Sequence, residues 1–511
     1  ININNALFES PIKIIKKDAD SGKVVTLSSA SYKIRATQDI INRATGKVIY
    51  HKGDYIQVKV GNNKYNVFMT NSDSLTSMQE GNVYASKNDE KGSVTTPFKL
   101  PAGYYELVEL KSPDGFVLNT NTVQFVVTNT VDLDKDADGD VVCVVTQSNK
   151  QPKANIEINK SFNLRENMDK SLIDISEDGT INNIDKVTFN LIAADTITDK
   201  SDGSVVYNKG DVIETKSLTS DSKVEFNNLW MGSYIIKETS TIDGAVLDVN
   251  EYPFVFEAKD DTTEKYNQSL DLVNYTTEVD ISKVDLTTGE ELEGAELTLT
   301  DKDGNVIDSW VSTKENHKIE GLKVGETYIL IEKSAPYGYE MTENIEFTIN
   351  NDKEIQKVVM KDAPILSSIR VNKVDSITKQ NIKSNKFSFT LYSDAECKNK
   401  IITVDANTED GTAIFKDLRF GTYYIKETSA PLGYELSDEV VEIVINGDGV
   451  FANGKKIEEL DGVYSIEYQN SLLPIVYTGD TNRVGMYLTM VAFLIIGIVI
   501  LILLDKLKKR K

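Results

Sequence analysis

The chain has 511 residues, with 79 Asp and Glu against 56 Lys and Arg, a formal net charge of −23. That acidity argues against nucleic acid as a partner, since phosphate binding needs a basic face. Two cysteines and two histidines exclude a disulfide framework and a cysteine-ligated metal cluster, and leave little room for histidine-based catalysis, so composition disfavours an enzyme.

In chain order, the first residues carry the pattern Ile1-Ile3-Asn5, with neither an initiator Met nor a signal peptide. The same pattern ends every later unit, so residues 1–7 are expected to be the final strand of a preceding domain, and the chain a fragment. Four related units follow. Each opens with two β-branched residues and a lysine in one alternating phase: Ile12-Ile14-Lys16, Ile156-Ile158-Lys160, Val279-Ile281-Lys283 and Ile369-Val371-Lys373. Each continues to a Tyr–aliphatic–Glu series: Tyr105-Leu107-Glu109, Tyr234-Ile236-Glu238, Tyr328-Leu330-Glu332 and Tyr423-Ile425-Glu427. Each closes on an amide or acid: Val145-Gln147-Asn149, Leu270-Leu272-Asn274, Val358-Met360-Asp362 and Ile466-Tyr468-Asn470. Side chains alternate faces along a strand, so each Lys, Glu and Asn or Asp points the same way as core residues.

A glycine follows each Glu by six residues, in a turn, and short strand-like runs are broken by clusters such as Asp303-Gly304 and Asp410-Gly411. Units one and two each add a Val-x-Tyr-x-Lys-Gly-Asp hairpin (48–54 and 205–211). This predicts an all-β chain of four tandem Ig-like sandwiches over residues 8–150, 151–276, 277–364 and 365–472. The very short linkers predict a semi-rigid rod. Asp134-Lys135-Asp136-Ala137-Asp138-Gly139 has the opening of a calcium loop, but Val145 stands at its twelfth position, so an acidic hairpin turn is expected. Cys143 and Cys397 fall in different units and are expected to be free thiols. No phosphate loop, metal-spaced His cluster or Ser-His-Asp arrangement occurs, and no cofactor is expected.

Taken singly, such a lysine reads as a snorkelling side chain at a strand end and such a glutamate as a surface residue. Four units carrying all three groups in the inward phase reverse that. Burial disfavours charge, lowering the lysine pKa and raising that of the glutamate, so a neutral amine can sit beside a neutral acid. A neutral amine is a nucleophile, and a protonated Glu can polarise an Asn or Asp carbonyl. The product is an isopeptide bond.

The stretches KVDLTTGEELEGAELTL (283–299) and YIKETSAPLGYE (424–435) resemble the collagen-adhesin B-type repeat, also called the SpaA-like or prealbumin-like domain. The resemblance implies that Lys283 joins Asp362 with Glu332 as catalyst, and Lys373 joins Asn470 with Glu427. It likewise implies Lys160 with Asn274 and Glu238, and Lys16 with Asn149 and Glu109. In unit one Lys17 is a neighbouring rival.

The C-terminus runs Leu473-Pro474-Ile475-Val476-Tyr477-Thr478-Gly479-Asp480, then 21 uncharged residues (484–504), then Asp505 and the basic KLKKRK. The span is long enough for a transmembrane helix, and the basic end predicts that everything before it lies outside. Residues 473–511 resemble the cell-wall sorting signal of Gram-positive surface proteins, although Pro474 stands five residues before Gly479 instead of three. That resemblance implies sortase cleavage between Thr478 and Gly479 and attachment to peptidoglycan or another pilin subunit. The expected protein is an extracellular, wall-anchored adhesin or stalk, with a host or matrix protein as a further partner. The alternatives are a pilin subunit and the stalk of a surface enzyme. Pilin backbones carry a Tyr-Pro-Lys-like motif, whereas Tyr252-Pro253 is followed here by Phe254.

Overall fold

The computed structural model describes residues 7–75, 81–130, 133–135, 140–164, 172–176, 179–383, 386–407, 409–474 and 482–509. The described residues are strand-rich, and the α-helix among them is Asn482–Lys508. Unit three gives the plan. One sheet sets the opening strand Glu278–Asp285 between His317–Glu320 and the closing strand Gln356–Asp362. The facing sheet runs Val306–Val311, Glu296–Asp301, Thr327–Ser334, Ile345–Thr348. Alternation along these strands buries Val279, Ile281 and Lys283 on the first sheet and Tyr328, Leu330 and Glu332 on the second. The lysine and glutamate therefore approach each other across the core.

Opening and closing strands pair in parallel, a pairing that needs a long crossover, here the rest of the unit. The register is the same in all four units. Lys16 lies opposite Gln147, Lys160 opposite Leu272, Lys283 opposite Met360 and Lys373 opposite Tyr468. Asn149, Asn274, Asp362 and Asn470 each stand two residues further along, on the same face, within reach of a long side chain. Four clusters of buried apolar residues back these sites, centred on Ile12 and Tyr105, Ile156 and Phe189, Val279 and Leu330, and Ile369 and Phe389.

Neighbouring units touch at short polar joints. Between units one and two, the Gln151 side-chain amide donates to both Asp18 and Asp199 at 2.8 Å, and Lys23 reaches Asp199 at 3.0 Å. Between two and three, the Leu247 N–H donates to Asn351 Oδ1 at 2.8 Å. Between three and four, Arg419 pairs with Asp285, which also accepts the Tyr339 hydroxyl at 2.8 Å, while the Tyr337 and Phe420 rings meet edge to face at 5.3 Å.

The stretch Gly485–Lys508 is long and apolar enough to cross a membrane. The sequence reading ends the span at Leu504. The helix runs on through Asp505 to Lys508, because leucine and lysine sustain a helix.

Candidate functional site

Each predicted triad is brought together in the core. In unit one, Lys16 Nζ lies 2.9 Å from Glu109 Oε1 and meets Asn149 Oδ1, while Asn149 Nδ2 donates to Glu109 Oε2 at 2.8 Å. Lys17, the rival, lies on the opposite, half-exposed phase of the strand. In unit two, Lys160 Nζ is 2.7 Å from Asn274 Oδ1 and 3.1 Å from Glu238 Oε1. Asn274 Nδ2 donates to both Glu238 oxygens, at 2.9 and 3.0 Å. In unit four, Lys373 Nζ meets Asn470 Oδ1 and lies 2.7 Å from Glu427 Oε1, with Asn470 Nδ2 2.8 Å from Glu427 Oε2. These Lys and Glu side chains are fully buried in units one, two and four.

Unit three differs in chemistry, setting two carboxyls against one amine. Lys283 Nζ is 2.7 Å from Glu332 Oε1 and meets Asp362 Oδ1, while Asp362 Oδ2 takes no hydrogen bond among the described residues. Two buried carboxylates cannot both ionise beside a single cation without a large cost. Burial, with Glu332 alongside, pushes the Asp362 carboxyl up to about 6.

Burial acts on the amines in the opposite sense. It lowers Lys16 and Lys373 to about 8, against the pull of Glu109 and Glu427, and it lowers Lys160 as well. Glu238 is raised by burial. Lys16, Lys160, Lys373, Glu238 and Asp362 are thus shifted toward their uncharged forms at contact distance, and an uncharged amine is a nucleophile.

Two parts of the site carry no signal in the lysine, glutamate and acceptor series. The first is an apolar cover. Phe189, Phe389, Tyr32 and Leu297 stand opposite Glu238, Glu427, Glu109 and Glu332 on the neighbouring strand. Lys160 Nζ lies 5.6 Å from the Phe189 ring centre, and Lys373 Nζ lies 5.3 Å from Phe389 and 4.4 Å from Tyr468. Naming these residues needs the strand register. The second is a backbone N–H donated to each glutamate from the residue ten positions later, at Asn119, Asp248, Thr342 and Ser437. A backbone donor has no side-chain signature; only the constant spacing to the turn glycine hints at it.

Thr478 and Gly479 lie outside the described residues, as do Asp136 to Gly139 of the acidic turn. Asp134, on the strand Leu133–Lys135, pairs with Lys13 at 3.3 Å. Neither Cys143 nor Cys397 forms a disulfide among the described residues.

The SpaA prealbumin-like fold domain family matches the chain four times, over residues 10–139, 172–269, 277–364 and 367–457. The chain belongs to this family. No curated protein matches it significantly. Among solved structures, it is similar to the Bacillus anthracis TIE protein, at 19% identity over 92% of this chain and 76% of that one, with a TM-score of 0.35. The pilus adhesin SpaC from Lactobacillus rhamnosus GG gives 14% identity, with 88% of this chain matched to 57% of that one, and a TM-score of 0.33. BcpA, the major pilin subunit of Bacillus cereus, gives 14% identity, 70% and 100% coverage, and a TM-score of 0.31.

Proposed function

We propose that the chain is an extracellular surface stalk or adhesin, its four units limited near residues 150, 276 and 364, each locked by an intramolecular isopeptide bond. What supports this reading is a single repeated observation: a buried lysine, glutamate and amide or acid, in the same register, in every unit. In units one, two and four, lysine Nζ attacks the Asn Cγ, the Nζ–Cγ bond forms and the Cγ–Nδ2 bond breaks. The glutamate lends a proton to the acceptor and recovers one from the amine, and ammonia leaves. In unit three the leaving group is water. The glutamates are the catalytic residues, and each site turns over once.

The C-terminal segment is read as a sorting signal, with sortase cutting between Thr478 and Gly479 and joining the protein to peptidoglycan or to another pilin subunit. The apolar stretch Gly485–Lys508 and its basic end support this reading. Recovery solely in the membrane fraction, with the basic tail intact, would argue against wall anchoring.

Intact mass tests the locks. The folded chain should be lighter than its sequence mass by three ammonias and one water. Glu332→Gln should fold but keep the water, because an amide cannot relay the proton. An unmodified mass in folded wild-type protein would leave the triads as ordinary buried ion pairs.

A further inference from the structure

In every cluster the two glutamate oxygens are held differently. Oε1 faces the lysine, at 2.9, 3.1, 2.7 and 2.7 Å in units one to four. Oε2 accepts a backbone N–H from the residue ten positions on: Asn119 at 2.9 Å, Asp248 at 3.0 Å, Thr342 at 2.9 Å and Ser437 at 2.9 Å. The four donor residues have different side chains, so what recurs is a backbone position. A turn delivers it, and in each unit that turn contains a glycine six residues after the glutamate in the left-handed region (Gly115 φ 84°, Gly244 φ 77°, Gly338 φ 87°, Gly433 φ 91°).

We propose that this backbone N–H is a positioning group for crosslinking: it decides which glutamate oxygen holds the proton and so directs the relay between lysine and acceptor. The inference rests on the isopeptide reading above. An oxygen whose lone pair already accepts an N–H is the poorer place for a proton. The proton is therefore kept on Oε1, beside the amine, while Oε2 stays an acceptor. In units two and four the acceptor Nδ2 meets both oxygens, at 2.9 and 3.0 Å from Asn274 and at 3.1 and 2.8 Å from Asn470, so it is the backbone N–H, given to Oε2 alone, that tells the two apart. With the carboxyl plane fixed in this way, Oε1 gives its proton to the acceptor amide as the Nζ–Cγ bond forms. The glutamate then takes the proton shed by Nζ, and ammonia carries away the nitrogen of the broken Cγ–Nδ2 bond. The glutamate ends in the state in which it began.

Removing one N–H without altering the side chain tests the idea. In the full chain, the peptide bond between Leu436 and Ser437 is replaced by an ester, using the α-hydroxy analogue of serine in cell-free synthesis. Samples quenched at intervals are digested, and the Lys373–Asn470 crosslink is followed by mass at several pH values. The expected result is a rate about tenfold lower, the equivalent of one charge-assisted hydrogen bond (about 1.4 kcal/mol). The acid limb of the pH profile should also move up, because the carboxylate has lost a donor. Ser437→Ala, which keeps the N–H, should change neither. An unchanged rate and profile in the ester variant would overturn the proposal. So would a yield lowered equally at every pH, which is what a merely structural turn predicts. Absence of the crosslink in the wild-type arm would instead strike the reading on which the inference rests.

Discussion

A lysine amine sealed in an apolar core is a weaker base than one in water, and on the isopeptide reading this sets the pH range in which each site would react. With Lys16 and Lys373 held at about 8 by burial, the proton shared by amine and glutamate is lost above that value. Crosslinking in units one and four should therefore persist to about pH 8 and fall beyond it, where an ordinary lysine would hold its proton past pH 10. Unit three needs a further proton, on Asp362, which burial places at about 6, so its rate should fall above that pH. Synthesis at pH 5.5 and pH 8 with site-resolved mass separates the two behaviours; equal profiles would contradict the assigned burial effects. The cover makes a second prediction. Phe389→Ala, in a Glu427→Gln background that keeps unit four uncrosslinked, should cost about 3–5 kcal/mol in chemical denaturation, as for a large core truncation. The triads were legible in the sequence because a charged residue repeated in a core phase is conspicuous. The cover was not, because Phe189 and Phe389 read as ordinary core residues until the register sets them against the glutamates.

At the scale of the element, the parallel pair of first and last strands governs what a crosslink does. The Lys283–Asp362 pair closes a separation of 79 residues, while Lys16–Asn149 closes 133. Loop entropy grows only with the logarithm of length, so the two locks should stabilise their units to within about 0.5 kcal/mol of each other. Each should contribute roughly 4–5 kcal/mol by the model developed for disulfides. Glu332→Gln should lower the stability of unit three by about that amount. It should also let the unit extend when its ends are pulled, whereas a bonded first and last strand carries the load past the intervening chain. A wild-type unit three that unravels fully under force would refute the lock. The strand phases could be read directly from alternation. The sheet order could not, since nothing local tells the opening strand that its parallel partner lies a whole unit away.

In the whole molecule polar contacts join neighbouring units, and the contact between three and four starts beside the lysine triad of unit three. Asp285 stands two residues after Lys283 on the same strand, opposite Asp362 in register, and accepts Arg419 from the next unit. Short linkers alone suggest a stiff chain, but this pairing spans 134 residues and has no pattern that a single sequence displays. Arg419, with hydrogen bonds from Thr287 and Tyr339 assisting, holds the Asp285 carboxyl far below the usual aspartate range. The sign follows. A depressed folded-state pKa means the contribution is whole above the ordinary value of 3.8 and is lost only as pH falls below it. The joint should accordingly be indifferent to pH between 5 and 8. Arg419→Ala removes the cation and leaves the Phe420 contact with Tyr337, so the units stay folded while their mutual orientation broadens. Spin labels on exposed positions of units three and four would report this as a wider distance distribution in the variant, with the unfolding midpoint of each unit nearly unchanged. A distribution as narrow as that of the wild type would mean that ring packing, rather than the ion pair, sets the angle between the two units.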